Sequence, residues 1–333
     1  MTVRKVCIVS KTARYPDILE RFAARGWQAE FRTLSARPSE DEVLAALQGV
    51  HGVIAGPEPY SRRVLESLPD LRAIARTGVG YDEIDVAAAT ERGVAVCTTL
   101  GTNDRAVADL TVGLMIALAR GIVPAHADIA DRGLFQRPNA IDFSGKTVGL
   151  VGTGAIGRHV ARRVRAFDCA VLLYDVTQDP AFAREVDGSY VDFERLLRKS
   201  DFISLHLPLS PRTRNIINTD ALMRMKRSAF LVNTARGGVV DEHALWRALS
   251  DGVIAGAALD VFEKEPLVAE SPLRSLPNVI LTPHMGGITA EAMRRAALLA
   301  AEHVHHLLEG SRPSSCINAE VLDHPQPIPA NQS

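Results

Sequence analysis

The run Val148-Gly149-Leu150-Val151-Gly152-Thr153-Gly154-Ala155-Ile156-Gly157 reads as a buried strand that breaks into G-x-G-x-x-G and opens a helix. A second apolar stretch, Val171–Tyr174, ends in Asp175, 18 positions after Gly157. A glycine triplet alone is weak evidence. Set between a strand and a helix, with an acid at this distance, it is the dinucleotide-binding fingerprint of a parallel α/β sheet. Gly152 permits the tight turn, Gly154 lets a pyrophosphate approach the backbone, and Gly157 lets the helix sit close on the strand. Ala155 and Ile156 open the helix, whose first N–H groups face the phosphates. Asp175 is expected to accept hydrogen bonds from the adenine ribose and to repel a 2′-phosphate, which favours NAD over NADP. Val176, Thr177 and Gln178 supply no arginine for such a phosphate.

Strand-like runs at Val6–Val9, Gly52–Ala55, Leu71–Ala75 and Val94–Cys97 alternate with helical stretches, which predicts a first parallel α/β region without a nucleotide fingerprint. A long helix is expected over Thr102–Arg120, capped by Thr102 or Asn103. A second series then runs through strands at Thr147–Val151, Ala170–Tyr174, Phe202–His206, Phe230–Asn233, Gly256–Asp260 and Val279–Thr282. Such a series fits a doubly wound nucleotide-binding sheet. A last helix is expected from Thr289 to about Leu308, and a loose proline-rich tail from His324.

With 333 residues and 47% hydrophobic content, the chain suits two globular domains. A net charge of −1 gives no reason to expect a nucleic-acid partner. The longest apolar run, Leu110–Ala119, is too short to cross a bilayer, and no export signal is recognisable, so a soluble cytoplasmic protein is expected. Cys7, Cys97, Cys169 and Cys316 are scattered and read as reduced packing residues. His303, His305 and His306 read as a solvated helix face, and no metal site is expected.

Ligands of open parallel sheets lie at the carboxyl ends of the strands. After three strands of the second series come Arg236 in Asn233-Thr234-Ala235-Arg236-Gly237-Gly238, Glu265 in Val261-Phe262-Glu263-Lys264-Glu265-Pro266, and His284 in Pro283-His284-Met285-Gly286-Gly287. A guanidinium can hold a carboxylate and polarise the adjacent carbonyl. An imidazole can give a proton to the developing alkoxide, and a carboxylate on its far nitrogen stabilises the imidazolium. The set suits hydride transfer to a 2-oxo acid.

The segments Arg76–Asp85, Gly101–Arg120, Gly145–Arg158, His206–Asn218, Asn233–Leu245, Ala258–Pro266 and Thr282–Thr289 together resemble the D-isomer-specific 2-hydroxyacid dehydrogenases. The resemblance is strongest to their short D-3-phosphoglycerate dehydrogenase branch and runs from about Gly52 to about Leu308. It implies two doubly wound parallel-sheet domains. One is a flavodoxin-like substrate domain of residues 1–101 and 289–333; the other is an inserted Rossmann NAD-binding domain of residues 102–288. It also implies Arg236, Glu265 and His284 as a catalytic triad. Substrate contacts are implied at Arg76, Val79, Gly80, Asn103 and Arg137. Cofactor contacts are implied at Gly154–Ile156, Asp175, His206, Pro208, Thr213, Thr234, Ala235, Asp260 and Gly287, and the assembly is expected to be a homodimer. The expected substrate is 3-phosphoglycerate. Gly56 stands where relatives acting on it carry a further arginine, which keeps glyoxylate, hydroxypyruvate or another small 2-oxo acid as the alternative. A remoter alternative is an NAD-responsive corepressor-like binding protein.

Overall fold

The computed structural model describes residues 3–323. The tail expected from His324 lies outside them. The chain divides into two compact units, the first made of residues up to 103 together with those from 288 onward, the second of residues 104–287.

The first unit holds five parallel strands: β1 (Lys5–Ile8), β2 (Gln28–Phe31), β3 (Gly52–Ala55), β4 (Ala73–Arg76) and β5 (Ala95–Thr98). Their order, β2-β1-β3-β4-β5, is that of a flavodoxin-like sheet. The four strands read from sequence are apolar runs buried on both faces. β2 escaped that reading because it is an edge strand whose Gln28 and Glu30 face solvent. The helix Ala290–Leu308 covers one face through a row of small residues, Ala297, Ala300 and Ala301, packed with Ile54, Ala73 and Ala75. Gly52 lies so close beneath it that a β-carbon there would stand 2.7 Å from Val304 Cγ1. The expectation of a solvated histidine face fails at His303, which is 6% exposed and bonded to Ser315 Oγ.

The second unit holds seven parallel strands: β6 (Thr147–Val151), β7 (Ala170–Tyr174), β8 (Gly188–Tyr190), β9 (Phe202–Leu205), β10 (Phe230–Asn233), β11 (Gly256–Leu259) and β12 (Val279–Leu281). The order β12-β11-β10-β9-β6-β7-β8 reverses direction at β6, the switch point of a Rossmann sheet. The three-residue edge strand β8, Gly-Ser-Tyr, carries no apolar run to betray it.

The long helix begins at Asp104, which puts Asn103 at the cap position, one of the two residues expected there. The Thr102 hydroxyl donates to the Thr99 carbonyl, and Asn103 Oδ1 is buried without a partner among the described residues. A further helix, Ile122–Arg132, buries none of its residues and was not anticipated. Among the described residues no single helix is long and apolar enough to cross a membrane.

Candidate active site

β10, β11 and β12 are neighbours in the sheet, so the loops leaving their carboxyl ends emerge side by side. Each loop is pinned by a buried polar residue. After β10, Asn233 is 1% exposed; its Oδ1 accepts the Ala235 N–H at 3.0 Å and its Nδ2 donates to the Arg236 carbonyl at 2.9 Å. Thr234 shares a 2.9 Å hydroxyl contact with Thr111. The Arg236 side chain leaves this immobilised backbone and donates through Nη1 to the Ala235 carbonyl at 2.8 Å.

After β11, Asp260 is 1% exposed and organises the loop after β12. Its carboxylate accepts from the Thr282 hydroxyl at 2.6 Å, the Met285 N–H at 2.9 Å and the Gly286 N–H at 2.8 Å. Its carbonyl accepts the His284 N–H at 2.8 Å. These bonds hold His284 at φ +50°, a left-handed conformation that costs a non-glycine residue about 1–2 kcal/mol.

With that backbone set, His284 Nδ1 donates to Glu265 Oε2 at 2.7 Å, while Glu265 Oε1 accepts the Phe262 N–H at 3.1 Å. Both side chains are partly exposed, His284 by 51% and Glu265 by 36%. Burial alone would raise the Glu265 carboxyl. The His284 hydrogen bond and charge, the Phe262 N–H and the Arg236 guanidinium outweigh it and hold the group below the usual carboxylate range. Glu265 is therefore an anion at neutral pH. Nδ1 of His284 is committed to it, which leaves Nε2 as the working nitrogen.

At the switch point, Gly152 has φ +101°, and a β-carbon there would stand 2.6 Å from the His206 carbonyl. A β-carbon on Gly157 would fall on the Gly152 carbonyl, whereas one on Gly154 would meet open space. Gly154 is thus the exposed rim of a cradle, at the uncapped start of the helix Ala155–Arg165. Asp175 is tied to the same loop: Oδ2 accepts from the Thr153 N–H at 2.6 Å and hydroxyl at 3.1 Å, and Oδ1 from the Thr177 N–H at 3.1 Å. Burial would raise its carboxyl, but these donors hold it below the usual range.

The sequence profile of the D-isomer specific 2-hydroxyacid dehydrogenase NAD binding domain matches residues 112–286. A glyoxylate reductase of Thermofilum pendens is 40% identical over 293 residues, which cover 86% of this chain and 86% of that protein. The chain belongs to the D-isomer specific 2-hydroxyacid dehydrogenase family. A D-3-phosphoglycerate dehydrogenase of Methanocaldococcus jannaschii is 42% identical over 269 residues, covering 80% of this chain and 51% of that one. The NAD-complexed D-isomer specific 2-hydroxyacid dehydrogenase of Lactobacillus delbrueckii ssp. bulgaricus superposes with a TM-score of 0.75 at 29% identity, covering 94% of this chain and all of that one.

As a member of this family the dehydrogenase is an NAD-dependent oxidoreductase, and its glycine cradle fits that cofactor. His206, against the cradle, has its Nε2 3.0 Å from Ser204 Oγ and its Nδ1 buried without a partner among the described residues. Burial pushes its pKa down to about 3, so it is neutral and presents one unused polar atom. Thr213 is engaged internally: its hydroxyl donates to the Pro208 carbonyl at 2.6 Å and accepts the Ser210 N–H at 2.8 Å. Gly287 follows the Asp260-bound loop.

The remaining predicted substrate residues fall in both units. In the first unit, Arg76 ends β4, and Gly78 (φ +143°) makes the turn after it. Gly78 N–H donates to Thr99 Oγ1 at 2.7 Å, and the N–H groups of Val79 and Gly80 have no acceptor among the described residues. In the second unit, Arg137 stands in the wholly exposed stretch 133–140. Glu242 had no role in the sequence reading, although it lies in the segment Asn233–Leu245. It opens the helix Glu242–Ser250, and its Oε1 accepts the Glu263 N–H at 2.5 Å, bracing the loop that carries Glu265. Burial first, then the charges of Glu263 and Glu265, raise its carboxyl. Only its spacing from Arg236 in the sequence could have drawn notice to it.

Proposed function

We propose that this dehydrogenase reduces a small unphosphorylated 2-oxo acid of the glyoxylate or hydroxypyruvate kind to the D-2-hydroxy acid, with Arg236, His284 and Glu265 as its catalytic group. The observation that carries the substrate class is the loop after β3. Where a phosphate-binding arginine was expected, Gly56 donates its N–H to the carboxylate of Glu58 at 2.7 Å, and Glu58 is 5% exposed. Burial raises the Glu58 carboxyl, with the Gly56 N–H, Arg76 and Lys11 acting against it. The loop therefore supplies a carboxyl group and no cation to a phosphate, a loss of about 1.5–3 kcal/mol for one charged contact. A glyoxylate reductase among the relatives is consistent with this reading, and a D-3-phosphoglycerate dehydrogenase stands beside it.

When bound, NADH supplies the hydride for C2. The chain's own groups do the rest. Arg236 grips the substrate carboxylate and draws electron density from the adjacent carbonyl. His284 Nε2 delivers a proton to the C2 oxygen as it becomes an alkoxide, and Glu265 stabilises the imidazolium beforehand. The N–H groups of Val79 and Gly80 are offered as further carboxylate donors. Initial rates with glyoxylate, hydroxypyruvate and 3-phosphohydroxypyruvate test the reading. The highest kcat/KM should belong to an unphosphorylated acid. A preference for the phosphorylated one would restore 3-phosphoglycerate, and no turnover of any would favour a corepressor-like binding protein.

Glu265→Gln should lower kcat for reduction by about tenfold or more, because a neutral amide holds the His284 Nδ1 with a weaker bond than the carboxylate does. Steady-state rates at saturating substrate measure this, and an unchanged kcat would show that Glu265 does not assist the imidazole. Asp175→Ala should lower the NADH-over-NADPH preference about tenfold, the loss of one charged contact to ribose. The ratio of the two kcat/KM values is the readout, since the variant also frees Thr153.

A homodimer joined through the second unit is supported by exposed apolar side chains on and after the helix Ile122–Arg132. Ile122 is 51% exposed, Ile129 59% and Phe135 86%. Light scattering should return twice the chain mass.

A further inference from the structure

The four cysteines are far apart in sequence, and all are free thiols. Two of them meet in the first unit. The segment Ser315–Ile317 runs antiparallel to β5, with the Thr98 N–H donating to the Ser315 carbonyl at 3.3 Å and the Ile317 N–H to the Val96 carbonyl at 2.8 Å. Between those two bonds Cys97 and Cys316 face each other as bridge partners. Neither bonds the other's backbone, so they occupy the non-hydrogen-bonded site of an antiparallel pair. There the Cα atoms lie about 4.5 Å apart and the side chains are at their closest, on one face. That separation falls within the span of about 4.4–6.8 Å that a disulfide bridges. Asn318 locks the register: its Oδ1 accepts the Val96 N–H at 2.8 Å, and its Nδ2 donates to the Val94 carbonyl at 2.9 Å and to Thr90 Oγ1 at 3.0 Å.

We propose that Cys97 and Cys316 are a reversible redox pair that closes into a disulfide when the enzyme meets a peroxide. The two sulfurs are chemically unequal. The Cys97 thiol donates to Cys316, and with the Asn318 N–H and Arg312 guanidinium it outweighs burial and holds Cys316 below the usual thiol range. The same contact, together with burial, pushes Cys97 up. Cys316 is also the partly exposed member, whereas Cys97 is fully buried. Cys316 is therefore the attacking thiolate and Cys97 the resolving thiol.

In the first step the Cys316 thiolate takes one oxygen from hydrogen peroxide, the O–O bond breaks, and hydroxide leaves. In the second, Cys97 gives up its proton and attacks the sulfenic sulfur. The S–S bond forms as the S–O bond breaks, and water departs. Two thiols lose two electrons in all, and one peroxide becomes two waters. Cys7 and Cys169 are fully buried, and burial is the leading cause that raises both, Cys7 to about 12; they serve as internal controls. The closed bond would lie two residues from Thr99, whose hydroxyl holds Gly78 in the turn after β4.

The native full-length protein is exposed to hydrogen peroxide, its remaining thiols are alkylated, and its peptides are mapped by mass spectrometry. The expected result is loss of two of the four thiols. The peptides of Cys97 and Cys316 should be joined, two hydrogens lighter, and released by dithiothreitol. Cys316→Ser should keep its other thiols under the same exposure. Three results would overturn the proposal: sulfinic acid on Cys316 with no link to Cys97, four thiols surviving, or Cys7 and Cys169 reacting as fast as Cys316. The wild-type map decides the matter even if a variant folds poorly.

Discussion

Arg236→Gln is expected to cut kcat/KM about 10³-fold or more while NADH affinity stays within a factor of about two. The guanidinium is proposed to make paired, charge-assisted bonds to the substrate carboxylate, each worth about 1.5–3 kcal/mol, and each 1.36 kcal/mol is tenfold in rate. Fold damage should not obscure the result. The backbone of Arg236 is held from behind by Asn233, through the Ala235 N–H and the Arg236 carbonyl, and neither bond involves the replaced side chain. Arg236→Lys should rescue little, because an ammonium cannot reproduce the planar fork. Steady-state rates and fluorescence titration with NADH separate the two quantities. An equal loss of NADH affinity would take the guanidinium away from the substrate and assign it to the cofactor.

Gly237→Ala should do two kinds of damage at once. A β-carbon at this position would fall on the Phe262 carbonyl and the Glu263 N–H, and backbone cannot swing aside as a flexible side chain can. Overpacking of this kind costs about 3 kcal/mol or more, which is about 10 °C in melting temperature for a unit of this size. The displaced loop is the one that presents Glu265 to His284, so kcat should fall by about 10²-fold as the proton-transfer pair loses its alignment. Thermal unfolding and saturating-substrate kinetics measure the two effects. A variant with unchanged melting temperature and kcat would mean that the two loops are not in the contact described.

The strand–glycine–helix run and the polar residues after β10, β11 and β12 could be read directly from the chain. Buried parallel strands are continuous apolar runs, and such a sheet puts its ligands at the carboxyl edge. From this alone Arg236, Glu265 and His284 could be placed on one edge. The edge strands β2 and β8 could not be seen. One alternates exposed and half-buried residues and the other spans three residues, so neither leaves a period strong enough to detect. The helix Ile122–Arg132 was missed because it buries nothing.

Composition and spacing carry local periodicity, and they define the two sheets and the chemistry available at their ends. They carry no information about which atoms meet across long loops. That Asp260 spends its carboxylate on Thr282, Met285 and Gly286, that His284 gives Nδ1 to Glu265, and that Cys97 finds Cys316 across the sheet edge are facts of packing and register. Such contacts depend on directional bonds closing over tens or hundreds of residues, and they exist only once the chain has folded around them.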